Sequence, residues 1–134
     1  MKRLVIASFA SVLLVGCALV SKFDQNSYNA AQGLQQASLA LMGQRLVSIP
    51  TNDIITLQAQ LQAAVAYEQG KLPANKIPAL QWQVLTATNG DLLGGFLTDW
   101  MNNKPCSPAY LTEKENQINA GFAEIMRLEG GLLK

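Results

Sequence analysis

Ala30, Leu34, Ala37 and Leu41 recur at spacings of four, three and four residues, with Gln32, Gln35, Gln36 and Gln44 between them. That period is helical and predicts an amphipathic helix over 26–47, capped by Asp24 or Asn26 and stopped at Ser48–Pro50. Ile54, Leu57, Leu61, Ala64 and Val65 repeat the pattern, with Gln58, Gln60, Gln62 and Glu68 opposite. A second helix follows over 52–69, with Thr51 as its N-cap, Asp53 suited to its dipole and Gly70 and Pro73 as its stop. The two form an αα-hairpin with a loop of about four residues.

Further along, "KLPANKIP" (71–78) reads as a loop between two prolines. "ALQWQVLTAT" (79–88) is ambiguous, since Leu80, Trp82 and Val84 alternate like a strand while Leu80, Val84 and Ala87 keep helical spacing. With helices on both sides and no partner strand, the helix is favoured. Asn89-Gly90-Asp91 marks a turn or kink. "LLGGFLTDWMNN" resumes the apolar pattern despite Gly94-Gly95, each costing about 1 kcal/mol in a helix unless close packing compensates. "KPCSP" (104–108) is a loop. Thr112 opens the last helix with Glu115 completing a capping box, Ile118, Phe122, Ile125 and Met126 follow, and Gly130-Gly131 ends it. The expected fold class is all-α: a small bundle of about four helices forming a single domain over 26–134.

The first residues follow a different pattern. "MKR" is basic, and Leu4–Val15 is an uncharged apolar stretch of signal-peptide length. It runs into Leu14-Val15-Gly16-Cys17, which closely resembles the lipobox of bacterial lipoproteins. In that family the cysteine thiol is diacylated, a dedicated peptidase cuts before it, and the new amino group takes a third acyl chain. The resemblance implies a leader over 1–16 recognised through Leu14, Val15 and Gly16, lipidation of Cys17, and a tether over 17–25. It also implies a membrane held through covalent acyl chains, with no other cofactor. Two or more chains on one residue anchor stably, at about 0.8 kcal/mol per buried methylene. Ala18 follows the cysteine where the inner-membrane retention signal of enteric bacteria has Asp, so the outer membrane, on its periplasmic or surface side, is the expected location. Two alternatives remain: Leu4–Ser21 as an uncleaved spanning helix, or an ordinary secretory signal cut elsewhere.

Composition narrows the chemistry. Of 134 residues 49% are hydrophobic and only 14% charged, too apolar for disorder over most of the length. Without Lys2 and Arg3, 8 basic residues face 9 acidic ones, so no basic patch points to nucleic acid. The chain has no histidine. Ser-His-Asp and Cys-His sites cannot be built, and zinc would depend on carboxylates and a single thiol. No metal site is expected.

Cys106 is the only other cysteine, either a partly buried small residue or an intermolecular thiol. Glu113, Glu115, Glu124 and Glu129 raise the alternative of a single-glutamate lytic transglycosylase, a group that includes helical outer-membrane lipoproteins. Glu113 and Glu115 suit the helix start, however, and the other two fall on its polar face. Trp82, Trp100, Phe96 and Tyr110 could line a groove, though helical spacing favours the core. Lys134 is similar to the terminal lysine that joins the major murein lipoprotein to peptidoglycan, but that family is a continuous heptad coil and this chain is interrupted by Gly and Pro.

Size and helix content resemble pilotins, which escort outer-membrane secretion subunits. "SKFDQNSY" (21–28) is similar to phage-encoded lipoproteins. The expected function is therefore a non-catalytic binding module, not an enzyme, anchored in the cell envelope with an envelope protein as its partner.

Overall fold

A computed structural model describes residues 24–130. The leader with Leu14, Val15, Gly16 and Cys17, most of the tether, Gly131 and Lys134 lie outside the described residues. The chain is all-helical, with α1 at Gln25–Met42, α2 at Thr51–Gln69, α3 at Lys76–Thr86, α4 at Leu93–Met101 and α5 at Pro108–Glu129. Among the described residues there is no strand, and no helix is long and apolar enough to cross a membrane.

The helices α1, α2, α3 and α5 form a ring in which α1 packs on α2 and α5, and α3 packs on the other sides of both. Up-and-down connections place the start of α1, the end of α2, the start of α3 and the end of α5 at one pole, that of Asp24. The short α4 closes the opposite, distal end, packing on α2, α3 and α5. Asn89–Asp91 is thus a complete break and not a kink, which gives five helices among the described residues where about four were expected.

Leu34, Leu61, Trp82, Leu85, Ile118, Phe122 and Ile125 fill the centre, with Trp82 set edge-on to Phe122 at 6.2 Å. Burying side chains of this size stabilises the fold by about 1.5–3 kcal/mol each. Trp100 and Phe96 join from α4, again edge to face.

Several boundaries and faces differ from the sequence expectation. α1 ends at Met42, not 47, because residues 43–47 tighten into three-residue turns (Gln44 N–H to Leu41, Arg45 N–H to Met42) that carry Arg45 under α4. The α1–α2 connection is correspondingly longer than four residues. Asp24, one of the two expected caps, does cap α1: its Oδ1 accepts from the Ser27 N–H at 3.1 Å. On α2, Pro50 takes the cap position and Thr51 is the first helical residue. The loop predicted over 71–78 ends early, since α3 starts at Lys76 and Pro78 sits in the first turn, where its missing N–H costs nothing. Thr112 does not open the last helix: Pro108 is its first residue, and the Ser107 hydroxyl accepts from the Tyr110 N–H at 3.1 Å.

The buried stripe of α1 is Ser27, Ala31, Leu34, Ser38 and Leu41. Ala30 and Ala37, expected in the core, are exposed on its flank. The two serines escape a polar reading because they are satisfied inside: Ser38 Oγ donates to the Leu34 carbonyl at 2.6 Å, and Ser27 Oγ donates to Glu68.

Close packing, which would compensate the cost of Gly94 and Gly95 in a helix, is present at both. Both are buried where α4 meets the end of α3, and a Cβ on Gly94 would run into the backbone carbonyls of Thr86 and Ala87, one on Gly95 into that of Gly90.

Candidate functional site: a groove along the first helix pair

Along the seam between α1 and α2 the two helices are not fully closed. Ala30, Gly33 and Ala37 on α1, spaced three and four apart, face Ala63, Ala64 and Tyr67 on α2 across a groove of about 550 Å³. The stripe is apolar but short-chained, so it leaves space where larger residues would fill it. A smaller hollow of about 290 Å³ continues the seam past Ala37 and Gln60 to Gln44 and Asp53. The seam therefore runs the length of α1, roughly 27 Å at about 1.5 Å per residue.

Trp82, almost wholly buried, forms part of the groove's floor. Its indole N–H has no acceptor among the described residues. A buried donor without a partner costs about 1–3 kcal/mol. At the tether end the groove is bounded by Asn26, Asn29, Ser27 and Glu68.

Ser27 and Glu68 belong to a polar node that draws all four ring helices together at that pole. Lys71 Nζ lies 2.6 Å from Asp24 Oδ2, 3.0 Å from Glu68 Oε1 and 3.7 Å from Glu129 Oε2. It also donates to Ser27 Oγ at 3.0 Å. Asn75, at the start of α3, donates to Glu68 Oε2 at 2.6 Å and to the Glu68 carbonyl at 2.7 Å. The Tyr67 hydroxyl reaches Asp24 Oδ2 at 3.2 Å, and the Asp24 N–H donates to the Glu129 carbonyl at 2.9 Å.

Three carboxyls around one ammonium cannot all be ionised cheaply. Burial, then the hydrogen bond and charge of Glu68, push the Glu129 carboxyl up to about 8. Burial opposes ionisation of Asp24, but Lys71, the Ser27 N–H and Tyr67 outweigh it and hold that carboxyl below its ordinary value. Burial likewise works against the Lys71 ammonium, and Asp24 and Glu68 overcome it and raise its pKa.

The residues singled out from sequence are dispersed. Glu129 is not on the polar face, since it is only 2% exposed and belongs to the node. Glu68, read as polar-face, is buried at 1%. Glu124 pairs with Arg127 at 2.6 Å on the surface, and Glu113 accepts from Gln117 at 3.0 Å. Glu113, Glu115, Glu124 and Glu129 line none of the four principal pockets. Trp82, Trp100 and Phe96 are core residues, whereas Tyr110 is exposed. Cys106 is half-buried at the core's edge, unpaired among the described residues. Among the described residues no group of three or more His, Cys, Asp or Glu could hold a metal ion.

Sequence reasoning missed the groove, although its signal was present: Ala30, Gly33 and Ala37 are all small and share one side of α1. No protein-family model, curated protein or solved structure matches this chain.

Proposed function

We propose that the chain is a lipid-anchored binding module of the bacterial cell envelope, acting without chemistry of its own, and that the α1–α2 groove receives a helical segment of an envelope protein. The lipobox-like Leu14-Val15-Gly16-Cys17 supports the anchor, and the leader-and-cysteine pattern supports the envelope location. The observation that carries the binding role is the open groove, walled mainly by small apolar side chains and floored in part by Trp82. Small walls admit a helix closely.

The test uses the full-length, acylated protein. A photocrosslinker at Ala37 should capture one defined envelope protein, whereas a crosslinker at exposed Asn116 on α5 should not. Gly33→Leu, which meets open space at its Cβ, should abolish that capture without unfolding the domain. Capture that is indifferent to Gly33→Leu, or none from Ala37, overturns the groove reading. Cys17→Ser should leave an unprocessed, unlipidated precursor, and normal processing of that variant overturns the anchor.

A further inference from the structure

The distal pole holds a second pocket, of about 460 Å³, lined by Arg45, Phe96, Asp99, Lys104, Ser107 and Tyr110. Arg45 is 9% exposed, and no carboxylate among the described residues lies within ion-pair distance of it. Its guanidinium is held by the protein's own groups in an open-ended way. Nη2 donates to the Lys104 carbonyl at 2.5 Å, and the cation lies over the rings of Trp100 at 5.7 Å and Phe96 at 5.9 Å. Nε has no acceptor. Cation–π contacts offset only part of the cost of removing a full charge from water, and a buried cation ordinarily has a counter-ion.

The surroundings fit a ligand that would supply one. Lys104 Nζ pairs with Asp99 Oδ1 at 3.0 Å, so among the lining residues the charge left over is that of Arg45, with Lys114 Nζ 5.4 Å from the Tyr110 ring at the rim. Ser107 caps the 22-residue α5, whose N-terminal dipole adds to the positive potential. Phe96 and Tyr110 offer ring surface beside the cation.

We propose that this pocket binds a carboxylate carried on an apolar or aromatic body, with Arg45 as the anion's partner. One uncompensated positive charge matches a monoanion better than a phosphate dianion, and a guanidinium matches a planar carboxylate. The pocket volume falls in the range of small-molecule sites and exceeds what a bare carboxylate fills. The site lies at the other pole from the polar node and is independent of the seam groove.

The experiment titrates the full-length chain in detergent micelles with N-acetyl-L-phenylalanine, its primary amide and inorganic phosphate, read by ligand-observed NMR and tryptophan fluorescence. The free acid should bind saturably. The amide should bind at least about tenfold more weakly, phosphate more weakly than the acid, and Gly33→Leu should change nothing. Arg45→Gln should abolish binding and Arg45→Lys should weaken it. Should Arg45→Gln fail to fold, Tyr110→Ala at the exposed rim should weaken the acid several-fold with an unchanged melting temperature. Absence of saturable binding, equal binding of acid and amide, tighter binding of phosphate, or binding that survives both Arg45→Gln and Tyr110→Ala overturns the proposal.

Discussion

Asn103 is the residue on which the geometry of the distal pole turns. It has a positive φ of 54° and follows α4, with its own N–H donating to the Trp100 carbonyl at 2.9 Å and the Lys104 N–H donating to that of Asp99 at 3.0 Å. This is a Schellman turn with Asn in the left-handed position, which Asn tolerates better than most residues but less well than Gly. The turn presents the Lys104 carbonyl to Arg45. Asn103→Gly should therefore be neutral or raise stability by up to about 1 kcal/mol, whereas Asn103→Val should lower it by about 1–2 kcal/mol, both read by urea unfolding. Equal effects would show that backbone conformation is not what Asn103 supplies. The same scale explains why the node was invisible in the sequence. Glu68 and Glu129 each stand at the polar end of a helical pattern, and only the convergence of α1, α2, α3 and α5 at one pole buries them. Burial there depends in part on partners more than forty residues away, Ser27 for Glu68 and Lys71 for Glu129.

Elements were legible where local rules decide them. α2, α4 and α5 follow the apolar period, and the close packing that would compensate Gly94-Gly95 in a helix is present. Boundaries failed where two signals competed: Thr112-Glu115 spells a capping box, yet Ser107-Pro108 lies upstream, and a serine cap with proline as first residue starts the helix sooner. Faces failed where residues of ambiguous size were involved. On α3 the buried side is Ala79, Trp82, Leu85 and Thr86, while Leu80 and Val84, which carried the helical spacing, are about half exposed. Apolar residues occur on both sides of this helix, so the period alone could not tell inside from outside. Two substitutions test these assignments. Ser107→Ala should cost about 1 kcal/mol, while Thr112→Ala should cost much less. Gly94→Ala should cost about 3 kcal/mol or more, because its methyl meets backbone that cannot rotate away. A Gly94→Ala protein with near-normal chemical stability would mean that α4 does not abut the end of α3.

Among the described residues the charges are sorted by pole, with a buried acid-rich node at the Asp24 end and a buried cation without a carboxylate partner, Arg45, at the far end. The node ties the four ring helices together at one pole, so its ionisation should govern the stability of the entire domain. Glu129 has an ordinary carboxyl value near 4.5 when unfolded and about 8 when folded. Between those values the folded state holds a proton that the unfolded state has released, so stability falls as pH rises. Asp24 and Lys71 do not oppose this over the same interval. The lowered Asp24 contributes fully above its unfolded value of 3.8 and loses its effect only in acid. The raised Lys71 contributes fully below its unfolded value of 10.5 and loses its effect only in alkali. The domain should therefore lose on the order of a few kcal/mol between pH 5 and pH 8.5, measured by urea unfolding at constant ionic strength. Glu129→Gln keeps the shape and the hydrogen-bonding capacity but removes the proton. It should flatten that slope and make the variant the more stable protein at pH 8.5. A wild-type stability that is level or rising across the interval, or a slope that persists in Glu129→Gln, would show that the proton is held elsewhere and that the carboxyl pair does not set the stability of this pole.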